Sequence, residues 1–515
     1  MINGNFHDRL KVTARYLPNH FPVCLPEQLP QKLQQEADLL ATVPFLVELA
    51  EVELLLEQKK TIETCQEQSN EYQIVPGTEL VQVSWSGLSE LLNGHEIVPE
   101  QKEELLLIVP QEPGKRSLIS IADNNSLLAL KIVAEHLDLR KLAAELDVTV
   151  AELQGVLRFG TAKGILAAPV SRIARPPGFA RQVSGFEDSL HASAFTLQWH
   201  ITQSCELNCR HCYDRSQRKD VSLVEGTALL DQFYTFCDHY HVRGQVTFTG
   251  GNPILHPQFE RLYRAAHERG FKTALLGNPV NRTILEKIIE IQMPEFYQIS
   301  LEGLEPHNNY IRGNNHFQRS IKFLDLLKEL DIYSMVMLTL TKANLDQVLP
   351  LAEMLRDRVD SFTFNRLAMV GEGASLVSVE PETFRGFLVR YQKAAEENPI
   401  MRRKDNFFNL LSYQNNQFFT GGCTGYGCGA AFNFVSVLPD GQVHACRKFP
   451  SPIGDLNHQD FISIYESETA VKYRSGSSSC FQCEIKPVCG GCLAVSHGFN
   501  KAPLTSLDPY CFKEK

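Results

Sequence analysis

Eleven of the fourteen cysteines in this 515-residue chain fall in two clusters, and that clustering constrains the fold more than any other feature. Three of them, Cys205, Cys209 and Cys212, sit within eight residues of the stretch "HITQSCELNCRHCYDRS". Eight more lie between residues 423 and 511, while Cys24, Cys65 and Cys237 stand apart. No apolar run reaches the roughly 20 residues that a membrane-spanning helix needs. The opening "MINGNFHDRL" lacks the apolar core of a secretion signal. The chain is therefore read as cytoplasmic, with no membrane partner. Stable disulfides are disfavoured in that compartment, so clustered thiols point to metal or redox chemistry. The net charge of −10 gives no whole-chain support to nucleic-acid binding.

The triplet stands at the head of a regular alternation. "FTLQWHI" reads as a strand, and Ser222–His239 as a helix. "GQVTFTG" precedes helix 257–268, "KTALLG" precedes 281–292, and "EFYQIS" precedes 316–330. "SMVMLTL" precedes 344–357, and "SFTFNRL" precedes 381–396. Six strand–helix units predict an α/β fold, a partial TIM-like barrel of (β/α)6 type. Such barrels place their chemistry beyond the carboxyl ends of the strands. The triplet lies at such an end, and so do the segments discussed next.

Upstream, residues 27–57 carry Leu and Val at helical spacing, broken at Pro44. Residues 72–121 read as short strands with turns at Pro76–Gly77 and Pro113–Gly114. Three helix-sized pieces follow, and Thr149 with Glu152 forms a capping-box pattern before the third. A small sheet and then three helices is a winged-helix-like order. Ser126–Pro169 holds five Lys or Arg (131, 140, 141, 158, 163) against five Asp or Glu (135, 138, 145, 147, 152). That balance favours a peptide clamp over a DNA reader. Residues 172–185, "RIARPPGFARQVSG", read as a Pro/Gly linker.

Three thiols without a fourth suit an iron–sulfur cube with one open iron better than a four-ligand structural zinc site. The pattern Cys205-x3-Cys209-x2-Cys212 resembles the radical S-adenosylmethionine (SAM) superfamily, with His211 in the slot that is usually aromatic. The resemblance implies a [4Fe–4S] cluster on these three catalytic cysteines. It also implies SAM bound at the open iron and a 5′-deoxyadenosyl radical that abstracts hydrogen. "TFTGGNPILHP" resembles the family's GGE motif, so Gly250, Gly251 and Asn252 are expected at the SAM ammonium, with Asn252 where Glu is usual. The glycines are read as allowing close backbone approach to a ligand. Alone, the stretch reads as a plain Gly-Pro turn. "QISLEGLEPHNNYIRG" resembles the segment that contacts the SAM ribose. It implies Ser300 and Glu302 at the sugar hydroxyls and Arg312 at the SAM carboxylate. The bland reading of Glu302 is a solvated loop carboxylate. Thr339–Thr341 and Arg366 stand at further strand ends, where a purely stabilising role is the alternative.

The late cysteines run Cys423-x4-Cys428, then Cys446, then Cys480-x2-Cys483-x5-Cys489-x2-Cys492, then Cys511. Eight thiols equal two sets of four, for two saturated clusters or for zinc ribbons. The spacing resembles the SPASM extension of radical SAM enzymes, except that two residues rather than three separate Cys489 from Cys492. The resemblance implies two auxiliary [4Fe–4S] clusters, three clusters in all. Cys423, Cys428, Cys446 and Cys492 would hold the nearer one, and Cys480, Cys483, Cys489 and Cys511 the outer one. Around Cys446 a strand, then "IGDL" and a short helix are expected. Cys237 reads as a buried small hydrophobe.

The implied domains are a helical segment 1–70, a winged-helix-like module 71–170, the barrel 190–400 and the SPASM domain 401–515. The second resembles the recognition element of enzymes that modify ribosomally made peptides. Together they imply a maturase that binds a precursor peptide by its leader and closes an oxidative crosslink or ring, thioether or related. The helices and "GGNP" are similar to thio(seleno)oxazole-type maturases. An external flavodoxin- or ferredoxin-type electron donor is implied. The rival readings are a maturase of a whole protein, generating formylglycine or a quinone cofactor, and a non-catalytic ferredoxin-like carrier or redox regulator.

Overall fold

The computed structural model describes residues 6–58, 71–111 and 115–513. The turn expected at Pro113–Gly114 and the isolated Cys65 lie outside those residues. The chain divides into two units, Met1–Val170 and Ser171–Lys515.

The first unit is built on a three-stranded antiparallel sheet. Its strands are β2 (Glu79–Ser86), β3 (Glu100–Val109) and β4 (Leu118–Ile121). A two-stranded ribbon, β1 (Gln73–Ile74) with β5 (Leu166–Ala167), closes its ends in sequence. Successive residues of a strand face opposite sides, and β3 uses both sides. Leu106 and Ile108 join a core with the helices of residues 6–58, such as Leu46–Gln58. Leu107 and Val109 join a second core with the helices Asn124–Ala134, Leu139–Leu146 and Val150–Ala162. Residues 26–58 form four short helices rather than one run broken at Pro44. Each of the three later helices is capped by the residue before it. Asp123 accepts from Ser126 N–H at 2.8 Å, and Asp138 accepts from Lys141 N–H at 2.9 Å. Thr149 and Glu152 bond reciprocally, each such cap contributing about 1 kcal/mol.

The second unit holds a nine-stranded sheet. Six strands run parallel in sequence order: β6 (Ala194–Thr202), β7 (Arg243–Gly250), β8 (Lys272–Leu276), β9 (Tyr297–Ser300), β10 (Ser334–Leu340) and β11 (Ser361–Arg366). Helices such as Leu223–His239 and Pro381–Glu397 return the chain between or after them. Strands covered on both faces read as near-continuous apolar runs, and Trp199, Phe248, Phe362 and Phe364 are fully buried.

A seventh parallel strand, β12 (Phe434–Val437), pairs with β6 on the far side. It continues into the antiparallel strands β13 (Gln442–His444) and β14 (Pro452–Asp455). No sequence pattern marks β12 as a separate strand. The strand expected to carry Cys446 ends two residues earlier, at His444. One core spans the strands, the helices and the cysteine-rich tail.

Residues 172–185 are not a free linker. Ile173 is fully buried. Arg175 donates to the carbonyls of Cys428, Tyr426 and Arg474 at 2.6–2.9 Å, and Arg181 N–H donates to the Phe481 carbonyl at 3.0 Å. The Pro/Gly content shapes an anchored strap.

Candidate active site

The cysteine triplet, which follows β6, is held by the segments that follow β7, β9 and β11. Beyond β6, the carbonyls of Thr202 and Ser204 accept from Gly251 N–H at 2.9 Å and Asn252 N–H at 2.7 Å. Gly250 has a φ of +127°, and a Cβ there would lie 2.1 Å from the Thr202 carbonyl oxygen. A Cβ on Gly251 would lie 2.2 Å from that of Ser204. What the two glycines admit is thus the backbone leading to Cys205, and not a ligand alone. Farther along, Arg210 N–H donates to the Ile311 carbonyl at 2.9 Å, and its guanidinium lies over the Tyr310 ring. The Cys212 carbonyl accepts from Glu372 N–H at 2.9 Å.

The three thiols line a cavity of about 430 Å³ that also takes in Gly250, Gly277, Ser300, Thr339 and Arg366, one from the end of each remaining strand. Burial raises the Cys205 and Cys209 thiols, with Glu206 and Cys212 adding to the rise at Cys205 and Glu302, Cys205 and Cys212 adding to it at Cys209. Two donors counter this: Asn278 Nδ2 lies 3.5 Å from Cys205 Sγ, and Arg312 Nη1 lies 3.8 Å from Cys209 Sγ. Thiols so placed ionise when a metal replaces the proton. A set of three around an open cavity fits a cluster with one iron left for a ligand.

Glu302 is 1% exposed, so it is no solvated loop carboxylate. Its Oε1 accepts from Arg312 Nη2 at 2.7 Å and Nε at 2.9 Å, and lies 2.9 Å from His211 Nε2. Its Oε2 accepts from Thr339 N–H at 2.8 Å. Burial alone would raise this carboxyl, but His211 and Arg312 outweigh it and hold the group well below the usual carboxylate range. Arg312, His211 and Ser300 line the cavity, while Glu302 and Asn252 stand behind its wall. Arg312 and Glu302, expected on separate parts of SAM, are engaged with each other.

The eight late cysteines fall into two sets. Cys423, Cys428, Cys446 and Cys492 line a second cavity of about 110 Å³. Burial pushes Cys428 up to about 12 and Cys446 up to about 11, and in both cases Cys423 and Cys492 add to the rise. Burial likewise pushes Cys480 up to about 11, with Cys483 and Cys511 adding, and the thiols that press on Cys489 are Cys480, Cys483 and Cys511. Gly490 and Gly491, at φ +70° and +61°, turn the chain so that the short Cys489–Cys492 spacing serves both sets. Among the described residues no three His, Cys, Asp or Glu side chains converge to share one metal ion.

Sequence reasoning missed four side chains here. Arg447 and Lys448, directly after Cys446, line both cavities, and Lys404 lines the second. Burial brings the Lys404 amine down to about 8. The fourth is Glu206, inside the triplet, whose carboxylate accepts from Asn252. The run "CRK" was a visible signal for the first two; nothing marked Lys404 or Glu206.

Comparison with known proteins agrees with this arrangement. Residues 199–355 match the Radical SAM superfamily, and residues 428–492 match the SPASM iron–sulfur cluster-binding domain. The chain carries a radical SAM domain and a SPASM domain. A radical SAM domain makes it an enzyme that uses a [4Fe–4S] cluster and SAM, and a SPASM domain binds further iron–sulfur clusters. The chain is similar to the AdoMet-dependent heme synthase of Methanosarcina barkeri, with 25% identity over 343 residues, 61% of this chain and 95% of the relative. It is also similar to the antilisterial bacteriocin subtilosin biosynthesis protein AlbA of Bacillus subtilis, with 24% identity over 334 residues, 61% of this chain and 70% of AlbA. Among solved structures, anSMEcpe with bound AdoMet superposes at a TM-score of 0.50 with 17% identity, covering 62% of this chain and 94% of that one, a likeness of fold. No helix among the described residues is long and apolar enough to cross a membrane.

Proposed function

We propose that this radical SAM/SPASM enzyme matures a ribosomally made precursor peptide in the cytoplasm, binding the leader on its first unit and closing an oxidative crosslink or ring in the core peptide. The carrying observation is the pairing of a three-thiol cavity at the strand ends with a separate sheet-and-helix unit of balanced charge. AlbA, named for bacteriocin biosynthesis, supports the same substrate class.

Cys205, Cys209 and Cys212 hold the catalytic cluster in this reading. Bound there with SAM, that cluster supplies a hydrogen-abstracting 5′-deoxyadenosyl radical. Gly250, Gly251, Asn252 and Ser300 contact SAM. His211, Glu302 and Arg312 form a buried ionic post that orients the wall between the triplet and β10 and keeps one guanidinium nitrogen on Cys209. The inner set, Cys423, Cys428, Cys446 and Cys492, and the outer set, Cys480, Cys483, Cys489 and Cys511, hold the auxiliary clusters. Full ligation suits them to carrying electrons, with Arg447 and Lys448 adding positive charge between the two cavities. A flavodoxin- or ferredoxin-type donor supplies the starting electron.

The leader docks by strand addition to an edge of the β2–β3–β4 sheet, which raises the core peptide's effective concentration at the cavity. The test is co-expression with a peptide encoded beside the gene, followed by mass spectrometry. Loss of two hydrogens in the core segment is the expected outcome. An unchanged peptide, together with modification of a neighbouring sulfatase or amine dehydrogenase, would overturn it in favour of a whole-protein maturase.

A further inference from the structure

Arg447 and Lys448 come directly after Cys446, and both line the triplet cavity as well as the second one. Their loop is pinned on each side. Cys446 N–H donates to Ser451 Oγ at 3.1 Å, Ala445 N–H donates to the Ser451 carbonyl at 2.9 Å, and Phe449 is buried. Both cations are half-buried. Among the described residues, neither side chain donates a hydrogen bond or pairs with a carboxylate.

Other cations around the two cavities are paired. Arg312 is held by Glu302, Arg366 by Asp405 and Asp508, and Arg218 by Asp214 and Asp440. Those pairs occupy the local acids. Asp214 is the one carboxylate among the described residues that lines the triplet cavity. It accepts from Arg218 Nη1 at 2.8 Å and from Gln203 Nε2 at 3.0 Å. Asp405 stands alone in the same way at the second cavity and accepts from Arg366 Nε at 2.7 Å.

The inner cluster would offset part of this charge. An oxidised cube on four thiolates carries about two negative charges, against three unpaired cations along that cavity, Lys404, Arg447 and Lys448. Lys404 lines the second cavity and not the first, so the surplus falls on the wall that the two cavities share. A guanidinium there presents a planar fork of donors that matches a carboxylate. An anion that arrives with the substrate would find the fork already desolvated and unpaired.

Resting on the reading of this enzyme as a peptide maturase, we propose that Arg447, with Lys448 beside it, binds a carboxylate of the core peptide and so sets which residue meets the cavity. The segment that enters is acidic. Its carboxylate is an Asp or Glu side chain or the peptide's own carboxyl end.

The test uses the full chain with its clusters oxidised and SAM present, so that nothing turns over. Calorimetry measures binding of the peptide encoded beside the gene in three forms: natural, with each core Asp and Glu changed to Asn and Gln, and with its carboxyl end amidated. At least one altered form is expected to bind about tenfold or more weakly, the scale of a charge-assisted hydrogen bond, and which one does so identifies the source of the carboxylate. Arg447→Gln is expected to weaken the natural peptide to the same degree and to leave the sensitive altered form almost unchanged, because its partner is already gone. Lys404→Met is expected to act on all forms alike. If Arg447→Gln loads its iron poorly, Lys448→Gln replaces it, with the same non-additive pattern expected. No loss in either altered form overturns the proposal. So does equal weakening of all forms by Arg447→Gln, which a role in balancing cluster charge alone would give. If the parent protein binds no form of the peptide, the maturase reading itself fails, and this proposal with it.

Discussion

Arg366, the last residue of β11, donates through Nη1 to both carboxylate oxygens of Asp508 at 2.9 Å, and through Nε to Asp405 at 2.7 Å. All three side chains are buried. Asp508 Oδ2 accepts from Cys492 N–H at 2.8 Å, and the Asp508 carbonyl accepts from Cys511 N–H at 2.9 Å. Through Asp508, one guanidinium therefore ties the barrel's last strand to the backbone of a cysteine from each late set. Arg366→Leu would leave two buried carboxylates unpaired. It is expected to lower unfolding stability by about 3–5 kcal/mol and to reduce iron content, as read by denaturant titration and iron assay. A loss below about 1 kcal/mol, the scale of a surface pair, would contradict that role.

The partition of the late thiols has a direct chemical readout. Cys423→Ser/Cys428→Ser should remove about four irons, and Cys480→Ser/Cys483→Ser should remove a different four. The mixed pair Cys428→Ser/Cys480→Ser should remove about eight. If the mixed pair loses only about four, the two sets are wrongly drawn.

A buried histidine sets an acid limit on stability. His316 accepts at Nδ1 from Asn308 Nδ2 at 3.1 Å, and burial, with Arg312 adding, brings it down to about 3. In the unfolded chain a histidine titrates near 6.5. Between those values the unfolded state binds a proton that the folded state refuses. Stability is therefore full above about pH 6.5 and falls as pH drops below it, by up to about 1.4 kcal/mol per pH unit. Replacing His316 by Asn should reduce the stability difference between pH 7 and pH 5 by about 2 kcal/mol, measured by urea unfolding. An unchanged difference would show that the histidine does not carry it.

The capping box of the first unit offers a local test. Thr149→Ala removes the bonds to Glu152 and should cost about 1 kcal/mol. The loss should appear as earlier melting of the first unit in hydrogen exchange, with Ser171–Lys515 unaffected. Equal loosening of both units would contradict a local role for this cap.

Much of this was legible because it depends on periodicity and spacing. The alternation of apolar runs with amphipathic helices located all six barrel strands, and the Thr149-x-x-Glu152 pattern located a helix start. The late cysteine spacing, read with its family resemblance, divides the thiols into two sets of four, and Cys423, Cys428, Cys446 and Cys492 line one cavity. Relations between distant residues were not legible. β12 is only "FVSV", too short and too buried to stand out from the loops around it. The ties of Arg366 to Asp508, and of Arg175 to the Cys428 carbonyl, join positions 142 and 253 residues apart. Glu302 is expected at the SAM ribose from the resemblance of its segment, whereas in the structure Ser300 lines the cavity and Glu302 is buried against Arg312 and His211. Adjacent motif residues need not share a face, and Glu302 turns inward to Arg312.

The central claim is a three-thiolate cluster whose open iron meets SAM in the cavity at the strand ends. Electron paramagnetic resonance of the anaerobically reduced protein, with and without SAM, tests it most directly. The account predicts a SAM-dependent change in a signal that disappears in Cys205→Ala/Cys209→Ala/Cys212→Ala, while the remaining signals persist. A spectrum indifferent to SAM, or a SAM-dependent change that survives the triple substitution, would contradict it.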